Sequence, residues 1–157
     1  MSVLYGKPDA PSSRSFASSG RYSDAHMFDP ETRIATFTAK SGDQVVIDEY
    51  NGCVTAYYYH EGEMTGHTWL FNVGSPELAD YNELPHPLDH ELCHPHQIDL
   101  PITAEDFRTF FNDQNQTMGI YFRERLTGII WNNAKPGKSV YAKEPSGFAL
   151  PMEIALH

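Results

Sequence analysis

Between Ser41 and Phe107 the sequence contains no lysine and no arginine. A stretch without cations offers nothing to neutralise phosphate, which argues against direct nucleic-acid binding. Cysteine is nearly absent too. Cys53 and Cys93 are the only two, too few for a disulfide scaffold, so the expected setting is a reduced, cytoplasmic one. The start Met1-Ser2-Val3-Leu4-Tyr5-Gly6-Lys7 lacks a charged-then-apolar signal pattern. No apolar run approaches the roughly 20 residues of a membrane span, so no membrane association is expected. Phosphate-cradling motifs are missing, and Gly6-Lys7 and Gly137-Lys138 stand alone. Gly74-Ser75-Pro76 lacks the glycine spacing of a nucleophile elbow, and no calcium loop of EF-hand type occurs.

The same basic-free stretch holds thirteen Asp and Glu and six of the eight histidines. Its flanks are close to balanced, so the net charge of -10 belongs to the middle of the chain. A concentrated anionic field attracts cations, either metal ions or a basic protein surface. The 157 residues suffice for one domain. Nine Tyr, nine Phe and two Trp supply large core side chains, while eleven Gly and eleven Pro favour short elements.

Residues 1–30 read as an extended Ser/Pro-rich arm, with Pro8, Pro11 and Pro30 around Ser12, Ser13, Ser15, Ser18 and Ser19. Phe16, Tyr22, Met27 and Phe28 are its candidate anchors. Residues 31–157 read as a single α+β domain dominated by one antiparallel sheet. Strand-like text at Ile34–Lys40, Val45–Tyr50, Cys53–Tyr59 and Thr68–Val73 predicts a four-stranded meander. Asn51-Gly52 is its strongest turn, because both residue types tolerate the positive φ of a tight hairpin. Met118–Phe122, Leu126–Trp131, Ser139–Lys143 and Phe148–Leu156 predict C-terminal strands. One or two short helices are expected on the sheet. One starts at Ser75-Pro76 and runs through Leu84. The other spans 104–113, with a capping box from Thr103 to Asp106 and Phe107, Phe110 and Phe111 at i, i+3 and i+4.

The sharpest chemical feature is a histidine-rich segment carrying His86, His90, Cys93, His94 and His96, all candidate zinc ligands. Within it, His90-Glu91-Leu92-Cys93-His94 matches H-E-x-x-H. On a helix that spacing sets two imidazoles on one face for zinc, with Glu91 placed to activate water. A helix from Pro87, stopped by Pro95, would have the required two turns. A third ligand at a recognised spacing is missing. The bland alternative is a structural or solvated loop. No cofactor is otherwise expected.

A second feature is Tyr57-Tyr58-Tyr59 amid carboxylates. Alternation predicts Tyr57 and Tyr59 on one face and Tyr58 on the other, where exposed tyrosine ringed by acid would suit a basic protein. Asp48, Glu49, Tyr58, Glu61, Glu63, Glu77, Asp80 and Glu83 are the candidate partner contacts. The leading expectation is therefore a small acidic binding or inhibitor protein, immunity- or antitoxin-like in character, docking on a basic partner such as a nuclease. The alternatives are a metal-dependent hydrolase built on His90, Glu91 and His94, and an accessory subunit whose arm wraps a neighbour. The sequence is compatible with homo-oligomerisation.

Overall fold

The computed structural model describes residues 3–6, 32–74 and 78–152, with residues 3–6 described as backbone. Among the described residues ten strands make two sheets. They are β1 (Val3–Gly6), β2 (Arg33–Thr38), β3 (Gln44–Tyr50), β4 (Cys53–His60), β5 (Glu63–Asn72), β6 (Phe107–Asn112), β7 (Thr117–Phe122), β8 (Arg125–Trp131), β9 (Lys138–Ser139) and β10 (Leu150–Pro151). The meander β2-β3-β4-β5 forms a four-stranded sheet in chain order, as expected. The remaining strands form a second sheet in the order β1-β6-β7-β8-β9-β10. All pairs are antiparallel except β9 with β10. The single dominant sheet expected from the sequence is thus two. The expected arm overlaps β1, which pairs with β6; its remainder, 7–30, lies outside the described residues.

The expected antiparallel sheet structure is present, but the helical part of the α+β assignment needs correcting, because the described residues hold almost no helix. Among the described residues the one named helical element is the 3-10 turn Ala104–Asp106. Its capping signal is real: the Thr103 backbone N–H donates to the Asp106 carboxylate at 2.8 Å. Beyond Asp106 a period of two wins over the helical period. Phe107, Thr109 and Phe111 point inward as alternate residues of β6. Phe107 and Phe111, four apart, satisfy both periodicities, and only Phe110 turns to the other face of the strand, which is why spacing alone misled. Of the other expected helix, Ser75, Pro76 and Glu77 lie outside the described residues, Leu78 has 3-10 backbone, and 79–84 is irregular, with bends and a turn. No helix among the described residues is long and apolar enough to cross a membrane.

The sheets face each other over one core. Phe37, Val45, Ile47, Val54, Ala56 and Tyr58 from the first sheet meet Phe107, Phe111, Met118, Ile120, Phe122 and Ile130 from the second. Along one side the sheets are stitched by backbone bonds. His67 N–H donates to Ala134 C=O at 2.9 Å, and Gly137 N–H to His67 C=O at 2.9 Å. Gly66 permits this approach, since a Cβ there would sit 2.9 Å from the Ala134 oxygen.

The four-stranded sheet is covered on its other face as well. Cys53 and Trp69 pack there with Leu88, Cys93, Ala142 and Ala149. Val46, Tyr57 and Tyr59 form a neighbouring cluster with Met64 and Leu84. Residues 53–59 are consequently all buried, and the exposed tyrosine face expected around Tyr58 does not exist. Double-sided burial erases the alternation on which that expectation relied.

Candidate binding groove at one pole of the sheet

The four-stranded sheet has two ends. The β3–β4 turn lies at one, and the β2–β3 and β4–β5 turns at the other. At the first end Asn51 and Gly52 adopt φ of 54° and 85°, the tight turn predicted from the sequence. This turn also anchors the segment that follows β5. Asn51 Nδ2 donates to the carbonyls of Asp80 at 2.7 Å and Pro85 at 3.0 Å. Asn51 Oδ1 accepts from Asp80 N–H at 2.8 Å. Tyr50 donates its phenolic proton to Glu83, and this bond pushes the phenol up to about 12. Gly52 must remain small, because a Cβ would sit 3.2 Å from the Pro87 ring.

Asn72, at the end of β5, fixes the histidine segment. Its side-chain amide brackets the Leu88 backbone, accepting from Leu88 N–H at 3.0 Å and donating to Leu88 C=O at 2.8 Å. The same Oδ1 accepts from the Trp69 indole at 2.9 Å. Its backbone N–H donates to His96 Nε2 at 2.9 Å. His96 Nε2 is therefore unprotonated, and Nδ1 carries the proton that it donates to His94 C=O at 2.7 Å. Burial against Trp69 and Tyr141 holds this imidazole below its ordinary range.

The histidine segment is not a helix. Leu92 N–H closes a turn on Asp89 C=O at 2.8 Å, and Cys93 then bridges to Ala142 as an isolated antiparallel pair. His94 N–H donates to Tyr141 C=O at 2.8 Å. The H-E-x-x-H spacing therefore does not bring His90 and His94 onto one helical face as expected. Both are exposed, as is Glu91. Both His96 nitrogens are engaged within the protein. The Cys93 thiol donates to the Asp89 carbonyl at 3.4 Å, and burial raises it above the ordinary thiol range. His86 gives Nδ1–H to Pro87 C=O at 2.9 Å and stacks between Tyr81 and Phe148. Among the described residues no three His, Cys, Asp or Glu side chains converge on a metal position.

These connections leave a two-part groove. The larger part, about 580 Å³, is lined by Asn72, Val73, Leu88, Asp89, Cys93, Ile98, Leu100 and their neighbours. The smaller, about 260 Å³, is lined by Glu49, Asn51, Gly52, Leu78 and Ala79. The two share Val73, Gly74 and Leu100, and so run together. Leu78 is 87% exposed, Leu100 62% and Tyr81 44%, and these are the exposed large hydrophobic side chains among the described residues. Two of the three line the groove. No Lys or Arg is among its described lining residues.

No protein-family model, curated protein or solved structure matches the chain.

The expected partner contacts separate into groups. Glu49 lines the groove, Asp80 is exposed beside Ala79, and Glu83 is partly covered and bonded to Tyr50. Glu61 and Glu63 are exposed at the opposite pole, in and after the β4–β5 turn. Asp48 and Tyr58 are buried, which removes them from any contact surface. Glu77 lies outside the described residues. Tyr58 instead donates to the buried Asp43 carboxylate at 2.5 Å, and the other Asp43 oxygen lies 2.7 Å from His60 Nδ1. Leu78, Leu100 and Asn72 escaped sequence reasoning. Leu78 stands alone in polar text, while Leu100 alternates with Ile98 and Ile102, so its spacing alone reads as one more core position.

Proposed function

We propose that this protein works by binding a basic protein partner, with the groove pole as its contact surface. The observation that carries the reading is a coincidence of two chemistries in one place. The most exposed apolar side chains, Leu78 and Leu100, border a groove whose described charged lining residues, Glu49 and Asp89, are both acidic. Exposed apolar area is normally kept scattered on a monomer, and its concentration at a concave site is the character of a binding surface. The surrounding carboxylates would steer a cationic partner and reject an anionic one.

An inhibitor role follows where the bound segment belongs to the partner's working site. The concave shape narrows the partner. Two concave surfaces do not fill one another, so a protruding basic segment suits this groove better than a nuclease's substrate cleft. Amide-resolved NMR titration with acetyl-Ala-Leu-Ala-Arg-Ala-amide and its Glu-for-Arg counterpart tests the reading. The basic peptide should shift Gly74, Asp89 and Leu100, and less so in about 0.5 M salt, where the Debye length is only a few ångströms. Equal shifts from the acidic peptide, or no shift from either peptide or from a basic protein such as cytochrome c, would overturn it.

A further inference from the structure

We propose that the groove recognises a two-part segment, an apolar side chain in the larger compartment and an Arg or Lys in the smaller. This inference rests on the basic-partner reading and adds a division of labour within the same site.

The larger compartment offers little to a polar ligand. The Asn72 amide, both His96 nitrogens and the Cys93 thiol are all committed to partners within the protein. What remains inside is the apolar surface of Val73, Leu88 and Ile98, with Asp89, His90, His94 and Gln97 at the exposed rim. Such a cavity gains from dispersion and water release, and an apolar side chain supplies both.

The smaller compartment has the reverse balance. Glu49 is half-buried, and among the described residues no cation pairs with it. Leu78, Ala79 and Leu100 supply aliphatic wall beside that carboxylate. An arginine or lysine is the side chain that fits both, its methylene stem against the leucines and its charged head on Glu49. The compartments meet at Val73, Gly74 and Leu100, so the two anchor residues must lie close together in the bound chain.

The experiment is an NMR affinity cycle on the full chain. The probes are acetyl-Ala-Leu-Ala-Arg-Ala-amide and its reversed order, each with Leu→Ala and Arg→Gln versions. Either replacement should weaken binding about three- to tenfold, the scale of one desolvated contact. Glu49→Gln should abolish the loss from Arg→Gln while leaving the loss from Leu→Ala. The partition is overturned if Glu49→Gln leaves the arginine preference intact, or if the leucine makes no difference. It is also overturned if the peptides fail to bind while a basic protein such as cytochrome c still shifts the groove amides. Failure of peptide and basic protein alike would instead sink the underlying basic-partner reading.

Discussion

At each end of the four-stranded sheet a histidine meets a fixed hydrogen-bonding partner, and the two partners impose opposite proton preferences. At the β4–β5 end, His60 Nδ1 lies 2.7 Å from a carboxylate oxygen of buried Asp43, whose other oxygen accepts from Tyr58. Asp43 first, then the nearby Glu61 charge, holds the His60 imidazole above its ordinary range. At the groove end, His96 Nε2 accepts from a backbone N–H, and burial holds that imidazole below its ordinary range. An acceptor partner favours the cation, whereas a donor partner and a dry pocket favour the neutral ring. The acid-rich sequence alone does not distinguish them, since both histidines lie in the same basic-free stretch.

The strongest way to break the comparison is to loosen the segment that carries His96 at the groove end. Asn72→Ala deletes the amide that brackets Leu88 and caps the Trp69 indole, leaving three polar groups without their partners. Each buried orphan costs about 1–3 kcal/mol, and partial exposure brings the sum to about 3 kcal/mol. Urea denaturation should show that loss, and amide exchange in 85–98 should accelerate. A loss below about 0.5 kcal/mol would mean that the histidine segment is held by something other than Asn72.

Tyr58→Phe is the next largest. It keeps the buried ring but removes one of the two groups bonded to Asp43, at a cost of about 1–2 kcal/mol. With less competition for the carboxylate, His60 should titrate higher still, which histidine NMR reads directly. Asp43→Asn should bring His60 down toward an ordinary histidine. An unchanged His60 titration in both variants would detach His60 from this cluster.

How far the sequence foretold these two poles depends on whether the deciding contacts are local. Asn51-Gly52 announces its hairpin because the positive φ is a property of those two residues. The meander follows from β-formers separated by short turns, and the Thr103–Asp106 cap is equally local. The histidine segment is different. Its conformation is set by Ala142 and Tyr141, some fifty positions downstream, and by Asn72 upstream, so H-E-x-x-H read as a helix was a local answer to a non-local question. Tyr58 failed for the same reason. Which face of a strand is exposed depends on what covers the sheet, and here Tyr58 turns with Val54 and Ala56 into the core shared with the second sheet, while Tyr57 and Tyr59 on the other face pack with Met64 and Leu84. The basic-free stretch proved informative for the groove, because two of its carboxylates, Glu49 and Asp89, and the exposed Leu78 and Leu100 line one site with no cation among the described lining residues.

The acid side of the stability profile separates the poles by sign. The folded His96 titrates below 6.5, so the unfolded chain binds more protons in the interval between its folded and unfolded values. Its contribution is complete above about pH 6.5 and is lost as pH falls through the lowered folded value. His96→Gln should flatten that acid-side decline in thermal melts followed between about pH 7 and pH 5. A decline that persists undiminished would assign it to the carboxylates instead.

His60 should give the smallest and opposite effect, because its ring is 31% exposed and water screens the pair. Its folded value is raised, so the folded chain binds the extra proton. The stabilisation is full below the unfolded value near 6.5 and disappears as pH rises through the raised folded value. His60→Gln removes the titrating group while retaining a donor for Asp43. Melts of this variant should match the parent at high pH and fall slightly below it near pH 6. A variant less stable by the same amount at both pH values would show that Asp43 needs the imidazole's shape rather than its charge. The two poles would then differ in packing and not in proton preference.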